Sequence, residues 1–117
     1  MTQEPGTPPT RVTPLALERH GTAARPIVVA RGEIDVATSP MLRSELASVL
    51  ASQPEDITVD FREVAFVDSS GLGVLVGALK RLREGGGGTF AVVGAQDAVR
   101  KVFEITGLDS LFELGDQ

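Results

Sequence analysis

Val67-Asp68-Ser69-Ser70-Gly71-Leu72-Gly73 is the stretch that decides the fold, because an apolar strand-like run ends in it and a helix-like run begins. The stretch brings together one carboxylate, two hydroxyls and two glycines. Leucines then recur at intervals of three and four residues, which predicts an amphipathic helix from about Ser69 to Glu84. The first N–H groups of a helix lack partners within the helix, so this junction is suited to hold an anion.

The rest of the sequence predicts one α/β domain, a mixed sheet of four to five strands packed with helices in the order β-β-α-β-α-β-α-β. The strand–helix–strand unit around the junction implies a right-handed parallel crossover. Thr38 or Ser39 is the expected side-chain cap of the first helix, with Pro40 in its first turn. The predicted elements are strand 15–19, a turn at 20–21, strand 27–34, a helix from 38–39 to 53, strand 57–61, a connection at 62–65, core residues 66–67, helix 69–84, strand 89–94, a helix from 96–97 to 107, and strand 111–114.

The composition of the 117 residues suits a single domain and argues against several classes of function. Hydrophobic residues make up 42% of the chain, but residues 1–13 are proline-rich and nearly free of apolar side chains, which predicts a disordered tail before a domain at 14–117. A net charge of −5 argues against binding to nucleic acid or to an anionic membrane. With no cysteine, no signal sequence and no membrane-spanning run, we expect a cytoplasmic protein without metal or cofactor.

Two chemical interpretations of the junction fail on spacing. Gly71 and Gly73 with Gly77 form G-x-G-x-x-x-G, one residue too long for the dinucleotide fingerprint, and no lysine follows Gly77 as a phosphate loop requires. A nucleophilic serine needs a nearby base, and the one histidine, His20, belongs to a distant predicted turn. From the residues alone, two interpretations stay open: a serine caps the helix, or a serine is a phosphorylation site whose charge repels a partner.

Two motifs carry a resemblance to a known family. Residues 66–75, F-V-D-S-S-G-L-G-V-L, resemble the signature of the STAS domain of bacterial anti-sigma factor antagonists, and residues 32–39, G-E-I-D-V-A-T-S, resemble the second motif of that family. The resemblance spans roughly residues 15–114 and implies a small α/β domain. It also implies that the unphosphorylated form binds an anti-sigma factor of the serine-kinase type and frees a sigma factor. The kinase phosphorylates the serine after the motif aspartate, here Ser69, and a serine phosphatase reverses the reaction.

The same resemblance implies a docking face around Ser69. Asp35 lies beside the phosphorylated serine in this family, and Asp68 is the motif acid, although both acids could instead only shape a loop or cap a helix. Gly71 and Gly73 are expected to let the helix start lie close to the neighbouring loop. Phosphoryl transfer is the partner's chemistry, so no enzymatic activity is expected. The expected partner-binding residues are Asp35, Thr38, Asp68, Ser69, Ser70, Gly71, Leu72 and Gly73.

Two further expectations concern use and assembly. STAS modules also serve in stressosome-type scaffolds and in lipid or anion transport systems, and such a module is the alternative function. Family members often carry a further amphipathic helix after the last strand, whereas this chain stops at Gln117. Either the helix is absent here or the chain is trimmed; if the helix is absent, one sheet face lacks cover that a partner or a second copy can supply. The expected state is a monomer or a weak homodimer.

Overall fold

The computed structural model describes residues 14–115, which form a five-stranded sheet and three α-helices. The tail predicted at 1–13 lies outside the described residues. The sheet order is β1-β2-β3-β4-β5; β1 is antiparallel to β2, and the other neighbours are parallel. The predicted mixed sheet and element order are confirmed. The elements are β1 (Ala16–Gly21), β2 (Pro26–Ile34), α1 (Ser39–Leu50), β3 (Asp56–Val67), α2 (Ser69–Glu84), β4 (Thr89–Val93), α3 (Asp97–Thr106), a 3₁₀ helix (Leu108–Ser110) and β5 (Glu113–Gly115).

The core lies between one face of the sheet and the helices. Val28, Val59 and Val92 stand in register on β2, β3 and β4, and none of them has exposed surface. Helix α1 lies on the same face of the sheet as these valines: Arg19 of β1, which pairs with Val28, forms an ion pair at 2.8 Å with Glu45 of α1. Because alternate side chains of a strand point to opposite faces, the residues between the core positions face the other way. Within residues 14–115 no helix covers that second face, and its central residues are only partly buried: Ile27, Val29, Thr58, Ala91 and Val93.

Helix α3 joins the core through three aromatic rings. Phe103 of α3 meets Phe112 edge-to-face with ring centroids 5.8 Å apart, and Phe112 meets Phe90 in the same way at 5.2 Å. Such T-shaped pairs add to the stabilisation from burial alone. Phe90 lies two residues before Val92 on β4 and so shares its face, which places α3 on the same side of the sheet as α1 and α2.

Helix α2 has the bounds that the leucine pattern predicts. Its leucines are almost fully buried, and Val74 and Ala78 widen the apolar surface, so the helix packs on α1 as well as on the sheet. Arg81 and Arg83 lie in its last turn, where positive charge interacts favourably with the helix dipole.

Two predicted connections were wrong. Residues 62–65 are not a loop but belong to β3, which runs for 12 residues without a break. The polar pair Arg62-Glu63 suggested a connection, yet a register shift between β2 and β3 turns both side chains to solvent, and Glu63 stays paired with Arg31 of β2. Residues 20–21 are the end of β1, and the hairpin turn follows at Thr22, whose N–H donates to the Arg25 carbonyl at 3.2 Å.

Candidate functional site

Asp68 caps the start of α2. It stands in extended backbone, and its Oδ1 accepts hydrogen bonds from the N–H groups of Ser70 at 2.9 Å and Gly71 at 3.2 Å. The Ser70 hydroxyl donates to the same oxygen at 2.5 Å. Of the residues that could have capped this helix, the structure therefore selects Asp68, and neither serine takes that role.

The capping bonds keep Asp68 ionised. The hydrogen bond from the Ser70 hydroxyl, with smaller contributions from the N–H groups of Gly71 and Ser70, lowers the pKa of the Asp68 carboxyl below its usual value. The anion expected at this helix start is thus the chain's own side chain, which already uses two of the free N–H groups. A second anion here would meet a fixed negative charge instead of an empty binding site.

Ser69 differs from Ser70 in what its hydroxyl contacts. Ser69 is the first residue of α2 and is exposed, and its hydroxyl has no hydrogen-bond partner within residues 14–115. The Ser70 side chain is partly buried and held against Asp68. Two serines that look equivalent in the sequence therefore have different surroundings, and Ser69 is the more exposed of the two.

Asp35 shapes the turn between β2 and α1. Its Oδ1 accepts hydrogen bonds from the N–H groups of Ala37 at 2.9 Å and Thr38 at 3.0 Å, and its carbonyl accepts one from the Ser39 N–H at 2.7 Å. These bonds form a compact turn that places α1 at its starting angle. The side chain remains partly exposed at the turn, so the structural role leaves the carboxylate accessible.

Thr38 fastens this turn to the end of β2. It occupies the cap position of α1, but the predicted side-chain cap by Thr38 or Ser39 is absent. The Thr38 Oγ1 instead accepts a hydrogen bond from the Asp35 N–H at 2.9 Å, and the hydroxyl lies 2.8 Å from the Glu33 carbonyl to which it donates. The predicted cap is absent because the Thr38 hydroxyl binds the backbone of residues that precede the helix. Only the Thr38 carbonyl takes part in the first helical hydrogen bonds, which come from the N–H groups of Met41 and Leu42.

The two motifs meet because β2 and β3 are parallel neighbours. Ile34 and Val67 are paired in register at the carboxyl ends of the strands, and the Asp68 N–H donates to the Ile34 carbonyl at 3.1 Å. A Cβ on Gly71 would lie 2.6 Å from Ile34 Cγ2, so a glycine is required for the helix start to pack here. The same expectation was wrong for Gly73, where a Cβ would meet nothing within 4 Å.

Exposure divides the expected partner-binding residues into two groups. Gly71 and Leu72 are buried and support the surface from below. The others are partly or fully exposed at this edge of the sheet: Asp35, Thr38, Asp68, Ser69, Ser70 and Gly73.

Three exposed apolar side chains belong to the same segments and were not among the expected partner-binding residues. Val36 is 76% exposed in the turn after β2, Met41 is 47% exposed in the first turn of α1, and Phe66 is 47% exposed at the end of β3. The prediction of Phe66 as a core residue was wrong: consecutive side chains of a strand face opposite sides, and Val67 takes the buried side. We call these three residues together with Asp35, Asp68 and Ser69 the switch surface.

Other site chemistries find little support at this surface. His20 pairs with Ile27 at the beginning of β2, so the histidine lies at the opposite end of the strands from Ser69, where its ring contacts Glu18 at 3.2 Å. Across residues 14–115, no group of three or more His, Cys, Asp or Glu side chains is placed to hold a metal ion. The helices in that range are too short or too polar to cross a membrane.

Comparison with known proteins identifies the family. The family model of the STAS domain matches residues 14–117. The anti-sigma-B factor antagonist of Bacillus subtilis (strain 168) is 36% identical over 83 residues, which are 71% of this chain and 74% of the relative. The crystal structure of an anti-sigma factor antagonist from Mycobacterium paratuberculosis superposes with a TM-score of 0.79 at 30% identity, covering 88% of this chain and 86% of that one. The antagonist SpoIIAA in its unphosphorylated form superposes with a TM-score of 0.74 at 25% identity, covering 85% and 87%. The resemblance inferred from the two motifs is confirmed, and this chain belongs to the STAS domain family.

Proposed function

We propose that this protein is an anti-sigma factor antagonist controlled by phosphorylation of Ser69. Its unphosphorylated form binds an anti-sigma factor serine kinase, which frees a sigma factor, and the phosphate ends that binding. The observation that carries the proposal is the exposed, unpartnered hydroxyl of Ser69 beside the ionised cap Asp68. The similarity to anti-sigma factor antagonists supports it.

The electrostatics of the helix start explain how a phosphate would act. A phosphoserine carries a charge of about −1.5 to −2 at neutral pH. Because Asp68 already occupies the N–H groups of Ser70 and Gly71, the phosphate cannot use them and remains turned toward the partner. A partner surface matched to the neutral hydroxyl then has to desolvate or repel a concentrated negative charge, which costs binding free energy.

The switch surface also provides the attractive part of the interaction. Val36, Met41 and Phe66 supply exposed apolar area of the kind that forms the centre of a protein interface. Asp35 and Asp68 supply fixed charges that orient the partner. We assign Gly71 and Leu72 a supporting role, because their burial keeps them out of direct contact.

In this proposal the chemistry belongs to the partners. The kinase supplies ATP and magnesium and transfers the phosphoryl group to Ser69, and a serine phosphatase removes it. The protein itself is not an enzyme and needs no cofactor. We place it in the cytoplasm, where sigma factors act, as a monomer or a weak homodimer.

The proposal is tested by incubating the protein with its cognate anti-sigma factor kinase and ATP and mapping the phosphate by mass spectrometry. Ser69→Ala should abolish phosphorylation, whereas Ser70→Ala should still be phosphorylated and serves as the matched control. Phosphorylation of Ser69→Ala to the same extent as the parent would overturn the site assignment. Nucleotide turnover by the protein alone would contradict the non-enzymatic role.

A further inference from the structure

The cations of the strands, the β1–β2 turn and helices α1 and α2 differ in whether they form ion pairs. The arginines on the sheet strands and the β1–β2 turn all pair with carboxylates: Arg19, Arg25, Arg31 and Arg62. On the two neighbouring helices α1 and α2, four cations have no ion pair with any of residues 14–115: Arg43, Lys80, Arg81 and Arg83. In a chain of net charge −5, this leaves a local basic surface on the helices.

Arg43 and Arg81 face a common groove between α1 and α2. The groove has a volume of about 170 Å³, and no acidic side chain lines it. It is smaller than the roughly 300–1,000 Å³ of typical small-molecule sites, so it suits side chains of a docked protein segment more than a whole ligand. Gly73 and Gly77 lie along it, and a Cβ at either position would meet nothing within 4 Å, so a partner can approach the helix closely.

The groove is continuous with the switch surface. Ser69, Gly73 and Gly77 follow one another at intervals of four along α2, and residues four apart share a helix face. Arg81 is the next residue in that series. The helix face that presents the Ser69 hydroxyl therefore leads directly into the groove between the two arginines.

We infer that the α1–α2 groove binds an acidic segment of the same partner that docks at Ser69, with carboxylates of that segment meeting Arg43 and Arg81. This inference rests on the proposed function. Guanidinium groups bind carboxylates through paired hydrogen bonds, and two unpaired cations on either side of one groove are complementary to such a segment. The surface then has two parts: the groove contributes affinity, and Ser69 makes that affinity dependent on phosphorylation.

The test measures the affinity of the cognate anti-sigma factor kinase for the unphosphorylated protein and for charge-reversal variants by isothermal titration calorimetry. Arg43→Glu and Arg81→Glu should each weaken binding about tenfold or more, and should reduce its dependence on salt concentration. Lys101→Glu is the matched control, because Lys101 is also an exposed cation without an ion pair in the described residues but belongs to α3. It should change the affinity less than about twofold.

A second variant tests the groove without changing charge. Gly77→Leu fills open space on α2 and replaces a helix glycine, so the variant should fold at least as stably as the parent. It should nevertheless weaken kinase binding. If the groove variants all bind as tightly as Lys101→Glu, the inference is overturned while the proposed function stands. If the kinase fails to bind the parent protein, the proposed function and the inference fall together.

Discussion

Asp68 gives two adjacent serines different roles. Its carboxylate binds the Ser70 hydroxyl and the first free N–H groups of α2, and it leaves the Ser69 hydroxyl without a partner in the described residues. An anion at a helix start is normally stabilised by those N–H groups. Here the Asp68 carboxylate already occupies the N–H groups of Ser70 and Gly71. A phosphate on Ser69 therefore changes the charge of the surface that a partner meets more than it changes the stability of the helix.

The glycines of the junction provide a residue-scale prediction with its own control. Gly71→Ala should lower the free energy of unfolding by about 1–3 kcal/mol, because the added methyl would press on the buried Ile34 and Val67. Gly73→Ala adds the same methyl group where there is open space and replaces a glycine inside a helix. This variant should raise the free energy of unfolding by about 0.5–1 kcal/mol. Urea denaturation of the two variants measures the difference, and equal effects would contradict the assigned packing.

The cap predicts a dependence of stability on pH. The pKa of Asp68 is lower in the folded protein than the ordinary value of about 4 in the unfolded chain. The ionised carboxylate therefore adds to the free energy of unfolding above about pH 4, and this contribution is lost as the pH falls through the lower pKa of the folded state. Asp68→Asn retains a capping oxygen but does not titrate. The gap in free energy of unfolding between parent and variant should therefore shrink as the pH falls below about 4 in denaturation experiments. A gap that stays constant under acid would count against this account of the cap.

Among the elements, the sequence predicts the bounds of a helix or strand best where buried side chains recur at regular spacing. It predicts worst where the spacing is irregular or where a side chain can bind in either of two directions. The bounds of α2 follow from its leucine spacing, since that face is buried along its whole length. The polar pair Arg62-Glu63 hides the continuity of β3, because a strand with register shifts no longer alternates strictly between buried and exposed side chains. The side chain of Thr38 binds back to β2 instead of capping α1, and residue type alone does not choose between the two directions.

Thr38 therefore provides the prediction at the scale of an element. Thr38→Val removes the hydroxyl that joins the Asp35 N–H to the Glu33 carbonyl, while keeping the shape of the side chain. The variant should lose about 1–2 kcal/mol of stability and should bind the partner more weakly, because the turn that carries Asp35 loosens. Ser44→Ala, an exposed change on the same helix, is the reference and should stay within about 0.5 kcal/mol of the parent. Equal stability and binding of the two variants would show that the hydroxyl does not hold the turn.

At the scale of the whole molecule, the parallel pairing of β2 and β3 builds the site. It brings Asp35 and Ser69 to one edge of the sheet although they are far apart in the chain. The two motifs made this juxtaposition predictable from the sequence. The exposed apolar residues of the switch surface and the basic groove were not predictable, because both depend on which side chains find partners through space. Within residues 14–115 the three helices lie on one face of the sheet and leave the second face open.

The central claim is that phosphorylation of Ser69 ends binding to the anti-sigma factor. The most direct measurement is calorimetric titration of the cognate anti-sigma factor kinase with the protein in unphosphorylated form and in a form phosphorylated at Ser69. We predict that the phosphorylated protein binds at least about tenfold more weakly, a difference of about 1.4 kcal/mol or more. Equal affinities of the two forms would contradict the account.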